Sequence, residues 1–166
     1  MTKPAFSAFT RVQQSSRDDD VFAVVGMLCG MSLAEVFKQA EVFGMPTTGP
    51  VFPWGMDASF VAQLLMSRSL VGGQWKECDS FMALPDVALA MVDFLPSKDC
   101  GRVVLFHRLP ENHPSGVKSY VVDPYPHSQT ALHYRQDLSG LNPAWFIAVS
   151  QIAAPAATAT PKAKGK

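Results

Sequence analysis

The sequence DDDVFAVVGMLCGMSLAEVFKQAEVFG, residues 18–44, decides the architecture of the N-terminal half. The almost wholly apolar run 21–30 follows three aspartates and ends in glycine, as is typical of a buried helix with both ends marked. Ser32 and Glu35 then match a capping box, and apolar residues recur at helical spacing as far as Gly44. These patterns predict a central helix over about 21–30 and an amphipathic helix directly after it.

Helical signals continue to about residue 66, and strand signals replace them after residue 73. Residues 45–56 are rich in Pro and Gly and predict irregular structure, whereas Asp57 is placed to cap a third helix. The segments GRVVLFHRL, VKSYVVDP, TALHYRQDL and AWFIAVSQ are short, rich in β-branched and aromatic residues, and separated by turn formers. Helices followed by an antiparallel sheet make an α+β domain.

The composition is that of a globular protein, with 166 residues of which 48% are hydrophobic and 17% charged. This length fits one domain with a substantial core, which we place over residues 1–151. Residues 152–166 are low-complexity Ala, Pro, Thr and Lys, and we expect them to form a flexible tail.

Charge and hydropathy narrow the function classes. The overall net charge is zero, but three tail lysines leave the body with 11 basic and 14 acidic residues, a net charge of −3. The body is therefore not expected to bind nucleic acid. Apolar runs are too short to cross a bilayer or to form a signal peptide, so we expect no membrane partner and a cytoplasmic protein with reduced cysteines.

Four polar residues are spaced as in a thiol-peptidase site. Gln14 stands six residues before Asp20 at the helix entry DDVFAVVGMLCGMSLAEV, Arg102 lies in GRVVLF, and Asp123 in YVVDPYP. Over about residues 11–150 this arrangement resembles the papain-like cysteine peptidases that include the peptidase domains of bacteriocin-processing transporters. The resemblance implies a papain-like fold and decides the ambiguous segment DVALAMVDFL in favour of a strand.

The resemblance also implies what each position does. Gln14 would take the oxyanion position, Asp20 that of the nucleophilic cysteine, Arg102 that of the histidine, and Asp123 that of the orienting carboxylate. A carboxylate is a poor acyl-transfer nucleophile and a protonated arginine cannot act as a base, so these replacements remove peptidase chemistry. Their opposite charges predict an ion pair between Asp20 and Arg102 in a groove.

Each residue also has a simpler interpretation. Asp20 could be an ordinary helix cap, Arg102 a solvated residue at the start of a strand, and Asp123 a turn former before Pro124. Only their joint occurrence with Gln14 favours the degenerate peptidase site.

The cysteines and histidines suggest a rival site. Cys78 or Cys100 could act with one of the histidines, His107, His113, His127 or His133, as a relocated hydrolase pair. A metal site is the other use of these side chains, but none has a dependable ligand spacing, and we predict no metal or cofactor. Cys29 lies among apolar helix residues and is expected to be buried and inert.

The resemblance, with its catalytic positions replaced, implies a catalytically inactive papain-like domain, which we expect to bind a protein or peptide partner as a recognition, scaffold or regulatory module. The expected binding residues are Gln14, Asp20, Trp54, Arg102 and Asp123. Two alternatives stay open, an active cysteine hydrolase or peptidase using Cys78 or Cys100, and a small structural or assembly protein.

Overall fold

A computed structural model describes residues 8–152, which form an α+β domain in the predicted order, helices before an antiparallel sheet. The helices in that range are α1 (Asp20–Cys29), α2 (Leu33–Val42), α3 (Phe52–Met56) and α4 (Ala58–Met66). The strands are β1 (Leu70–Gly72), β2 (Lys76–Glu77), β3 (Val87–Leu95), β4 (Cys100–Arg108), β5 (Ser119–Val122), β6 (Tyr134–Arg135) and β7 (Pro143–Gln151).

The predicted central helix, α1, forms with one shift at its start. Asp19 occupies the N-cap position but makes no side-chain bond to the helix, and Asp20 is the first helical residue. The interpretation of Asp20 as the N-cap is therefore wrong by one residue. The helix is buried from Asp20 to Met27 and ends at Gly30, whose φ of 65° is left-handed.

Helices α2 and α4 start as predicted. The Ser32 hydroxyl accepts from the Glu35 N–H at 3.2 Å and the Glu35 carboxylate accepts from the Ser32 N–H at 2.7 Å. Asp57 caps α4 through bonds from two backbone N–H groups. Residues 45–56 are not wholly irregular, however, because Pro53, which suits a first helical turn, helps to form the short helix α3.

The sheet is antiparallel throughout, with strand order β1-β7-β3-β4-β5-β6 and β2 also paired to β7. The segment DVALAMVDFL is a strand, β3, as expected. The sequence did not predict strands β1 and β2, because segments of three and two residues are too short to show an alternating pattern. TALHYRQDL supplies only the two residues of β6, because Thr130–Leu132 form a 3-10 turn.

Two apolar cores lie on opposite faces of the sheet. Alternation along β4 places Val103 and Leu105 in the larger core with the helices, and Val104 and Phe106 in the smaller one. Loop residues such as Leu141 cover the smaller core.

A bulge disturbs β3 at the end of the sheet. Its register with β4 shifts between Val92 and Leu95, and Asp93 has a left-handed φ of 54°. Gly101 of β4 passes so close that an added Cβ would lie 2.6 Å from the Val92 carbonyl oxygen. A side chain at position 101 is therefore incompatible with this approach of the two strands.

The segment before α1 is tied to the end of β5. Arg11 donates from Nε to the Asp123 carbonyl oxygen at 2.6 Å and from Nη2 to the Tyr125 carbonyl oxygen at 2.9 Å. The Gln14 N–H donates to the Pro124 carbonyl oxygen at 3.0 Å. These bonds fix the entry to α1 against the loop that follows β5.

Across the described range, no single helix has the length and apolar character to cross a membrane; α1 and α2 reach that threshold only as a pair, bent by 99°. The predicted tail, residues 152–166, lies outside the described residues except for Ile152, whose N–H donates to the Ser69 carbonyl oxygen at 3.1 Å.

Candidate functional site

A cavity of about 860 Å³ lies where β4 begins and β5 ends, beside the start of α1. Four of the predicted site residues line it, Gln14, Asp20, Arg102 and Asp123. Residues that are far apart in sequence thus meet at one place in the fold.

The three consecutive aspartates have different surroundings. Asp18 is exposed at the rim of the cavity. Asp19 is 1% exposed and accepts bonds from the Ser15 hydroxyl and from the N–H groups of Ser15 and Ser16, which closes the loop before α1. Asp20 is 8% exposed and faces both the helix and the sheet. Asp18 is therefore the one of the three whose side chain is exposed to solvent.

Asp20 connects α1 to β4. Its Oδ2 accepts from the Val103 N–H at 2.8 Å, and its Oδ1 accepts from the Val21 N–H at 2.9 Å. Burial raises the pKa of Asp20 to about 6, although these two bonds act in the opposite direction. Both oxygens of this carboxylate are occupied by backbone.

Arg102 is held by two carboxylates, and neither is Asp20. Its Nη1 lies 2.6 Å from Oδ2 of Asp123, and its Nη2 lies 3.4 Å from Oδ2 of Asp93 on the β3 bulge. Burial alone would lower the pKa of Arg102, but the hydrogen bond and charge of Asp123, assisted by Asp93, raise it. Arg102 stays cationic and cannot act as a base.

The predicted ion pair between Asp20 and Arg102 is absent among residues 8–152, and this is a correction. The cause is strand alternation. Arg102 precedes Val103 on β4, so its side chain lies on the opposite sheet face from the one that α1 covers. Val122 lies in the core that the helices cover, so the side chain of the next residue, Asp123, lies on the opposite face, where it bonds Arg102.

Gln14 lies in the cavity wall but its amide is engaged. Gln14 is 6% exposed and donates from Nε2 to the Ser16 carbonyl oxygen at 2.9 Å. The amide group that would serve an oxyanion is therefore used to shape the loop that leads to α1.

Trp54 is the predicted binding residue that the structure does not bring to the cavity. Its ring packs edge-to-face on Phe60, with the centroids 4.9 Å apart. Phe52, two residues earlier on α3, lines the cavity in its place.

One cysteine and one histidine share the cavity. Cys100 and His127 both line it, but no hydrogen bond joins Cys100 to a histidine in the part of the chain that the structure describes. Cys78 does not line it, and burial, with the charge of Asp79, raises the pKa of its thiol. Burial raises the pKa of Cys29 to about 11, which keeps it protonated.

The remaining histidines are engaged elsewhere. The Nδ1 atom of His107 lies 2.8 Å from the Tyr120 hydroxyl oxygen. Burial lowers the pKa of His107. His113 bonds the Ser115 hydroxyl, and His133 bonds the Ser128 carbonyl oxygen. Between residues 8 and 152, no group of three or more His, Cys, Asp or Glu residues is arranged to hold a metal ion.

Sequence reasoning missed several cavity residues. Asp93 is a charged residue inside an apolar strand pattern, and that signal could have identified it. Arg17, Lys98 and Leu95 also line the cavity, but they lie in or next to loops whose course no periodic pattern predicts.

Comparison with known proteins gives no identification. No protein-family model matches the chain, and no curated protein shows significant sequence similarity to it.

Proposed function

We propose that the chain is a catalytically inactive papain-like domain that binds a protein or peptide partner as a recognition, scaffold or regulatory module. The observation that carries this proposal is the meeting of Gln14, Asp20, Arg102 and Asp123 in one cavity at the start of α1. In the resembled peptidases these positions form the catalytic site.

The ion pair of Arg102 with Asp123 supports the correspondence. In the resembled site, a carboxylate after one strand orients the histidine on its neighbour, and here Asp123 just after β5 orients Arg102 on β4 through a 2.6 Å bond. Neither residue at the nucleophile and base positions can carry acyl transfer, so the cavity retains shape without that chemistry.

Binding is tested by selecting peptides from a displayed library on the purified protein. Leu132 lines the cavity and is 39% exposed, so the larger, uncharged side chain of Leu132→Trp should obstruct the cavity without disturbing the core. Met82 is 85% exposed and does not line the cavity, so Met82→Trp is the matched control. We expect selected peptides to lose binding to Leu132→Trp only; equal binding to both variants would contradict the proposal.

A second candidate function is favoured by the presence of Cys100 and His127 in the same cavity. A cysteine hydrolase would use the Cys100 thiolate as nucleophile and His127 as base. The purified protein is assayed for peptide hydrolysis and labelled with a thiol-reactive peptide. Hydrolysis that Cys100→Ser and His127→Ala both abolish would replace the first proposal with this one.

A further inference from the structure

We infer that the cavity binds an acidic peptide segment, one that combines aspartate or glutamate with apolar side chains. This inference rests on the proposed binding function and adds the chemistry of the partner. It derives from the hydrogen-bonding groups in the cavity that remain available to a ligand.

The buried carboxylates of the cavity are already occupied. Both oxygens of Asp20 accept backbone N–H groups. Asp123 accepts the Tyr125 N–H at Oδ1 and the Arg102 guanidinium at Oδ2. Each oxygen of both carboxylates therefore already accepts one donor of this chain, which leaves fewer of their acceptor sites for a cationic ligand.

The cations of the cavity are available instead. The side chains of Arg17 and Lys98 are exposed and form no ion pair or hydrogen bond within residues 8–152. Arg102 uses two of its five N–H donors, and its side chain is 38% exposed. Among the residues that the structure describes, the Arg135 side chain donates only to the Asp137 carbonyl oxygen, at 2.6 Å from Nε.

Few acceptors compete with these donors. Within the described range, the lining carboxylate oxygens that lack a partner are those of Asp18 and the Oδ1 of Asp93. The single charge of Arg102 is offset by Asp123, so Asp93 still counts as an anion. Apart from that pair and buried Asp20, three lining cations, Arg17, Lys98 and Arg135, stand against two lining anions, Asp18 and Asp93, and this excess of one positive charge suits a carboxylate.

The apolar lining indicates a peptide rather than a small acid. Leu95, Tyr125 and Leu132 are 50%, 39% and 39% exposed and lie at the cavity together with partly buried Phe52. Exposed apolar groups rimmed by charges are typical of protein-binding surfaces. A cavity of about 860 Å³ also exceeds what a single carboxylic acid fills. Nucleic acid fits poorly, because its charged backbone would extend beyond the cavity over a body with a net charge of −3, whereas a short peptide segment is confined to the cavity.

The test measures binding of fluorescent peptide libraries of equal length and equal apolar content. Their variable polar positions hold Asp and Glu, Asn and Gln, or Lys and Arg. We expect the acidic library to bind best and to lose affinity several-fold when salt rises from about 0.05 M to about 0.5 M. Arg17→Glu with Lys98→Glu should weaken this binding about tenfold or more, whereas Lys38→Glu, on α2 and outside the cavity, should leave it unchanged.

The outcomes separate the two proposals. Equal or better binding of the neutral or basic library, still reduced by Leu132→Trp, would overturn the acidic partner and leave the binding function standing. If glutarate, a small dicarboxylic acid, displaced the acidic peptides and bound as tightly as they do, the inference that the ligand is a peptide would be overturned. Absence of binding by every library would overturn the inference and the proposed function together.

Discussion

Asp20 is a buried carboxylate whose charge opposes folding. Its pKa rises from 3.8 to about 6 in the folded chain, so the folded state binds this proton more tightly than the unfolded state. The stabilising contribution of the proton is fully present below the unfolded pKa and is lost as pH rises through about 6. This group should lower the free energy of unfolding by up to about 3 kcal/mol between about pH 4 and about pH 7.

The substitution Asp20→Ala tests this directly. The loss in free energy of unfolding that it causes, measured by chemical denaturation, should be larger near pH 4.5 than near pH 7.5. The difference between the two losses should be on the order of 1–3 kcal/mol. Ser80→Ala removes a side chain that does not titrate from a short turn and is the control, with a cost that does not vary with pH. A cost of Asp20→Ala that is equal at both pH values would contradict the buried, shifted carboxylate.

Arg102 should couple energetically to Asp123 more than to Asp93. The bond to Asp123 is shorter, and the side chain of Asp123 is 12% exposed, against 41% for Asp93. Double-mutant cycles with Arg102→Ala should give about 1–2 kcal/mol of coupling for Asp123→Asn and under about 1 kcal/mol for Asp93→Asn. The reverse order would mean that the bulge carboxylate, not Asp123, holds the guanidinium.

At the scale of elements, the approach of β4 to the β3 bulge requires glycine. Gly101→Ala would place its Cβ 2.6 Å from the Val92 carbonyl oxygen and 2.9 Å from Met91 Cγ. We expect a loss of several kcal/mol in the free energy of unfolding, since two paired strands must separate. Gly73→Ala, whose Cβ would have no neighbour nearer than 3.8 Å, should cost under about 1 kcal/mol in the same denaturation experiment.

Elements with strong local signals could be predicted, and those set by tertiary contacts could not. The Ser32 and Glu35 capping box fixed the start of α2 because both partners lie within one turn. Strands β1 and β2 exist only because β7 pairs with them, and that partner lies far along the chain.

The candidate site shows the same division. Asp20, Arg102 and Asp123 were chosen from the family resemblance and all line one cavity, but the predicted partner of Arg102, Asp20, was wrong. That partner depends on which sheet face α1 covers and on the bulge that carries Asp93, and neither is visible in the spacing of residues.

For the whole molecule, the sheet and not the tail should determine stability. The sequence after Ile152 holds no apolar side chain larger than alanine apart from proline, so a chain ending at residue 152 should keep its Tm within about 2 °C. A chain ending at residue 142 lacks β7 and should show no cooperative thermal transition by circular dichroism. A fall of several degrees on removing only the tail would mean that it packs on the body.

The central position of β7 has a consequence for synthesis on the ribosome. Strands β3, β4 and β5 are consecutive neighbours and can pair while the nascent chain is still growing. The edge of β3 that β7 occupies, and the short strands β1 and β2, must wait for residues 143–151 to emerge. Until then an apolar strand edge is open to other nascent chains, so slow translation before residue 143 should increase dependence on chaperones.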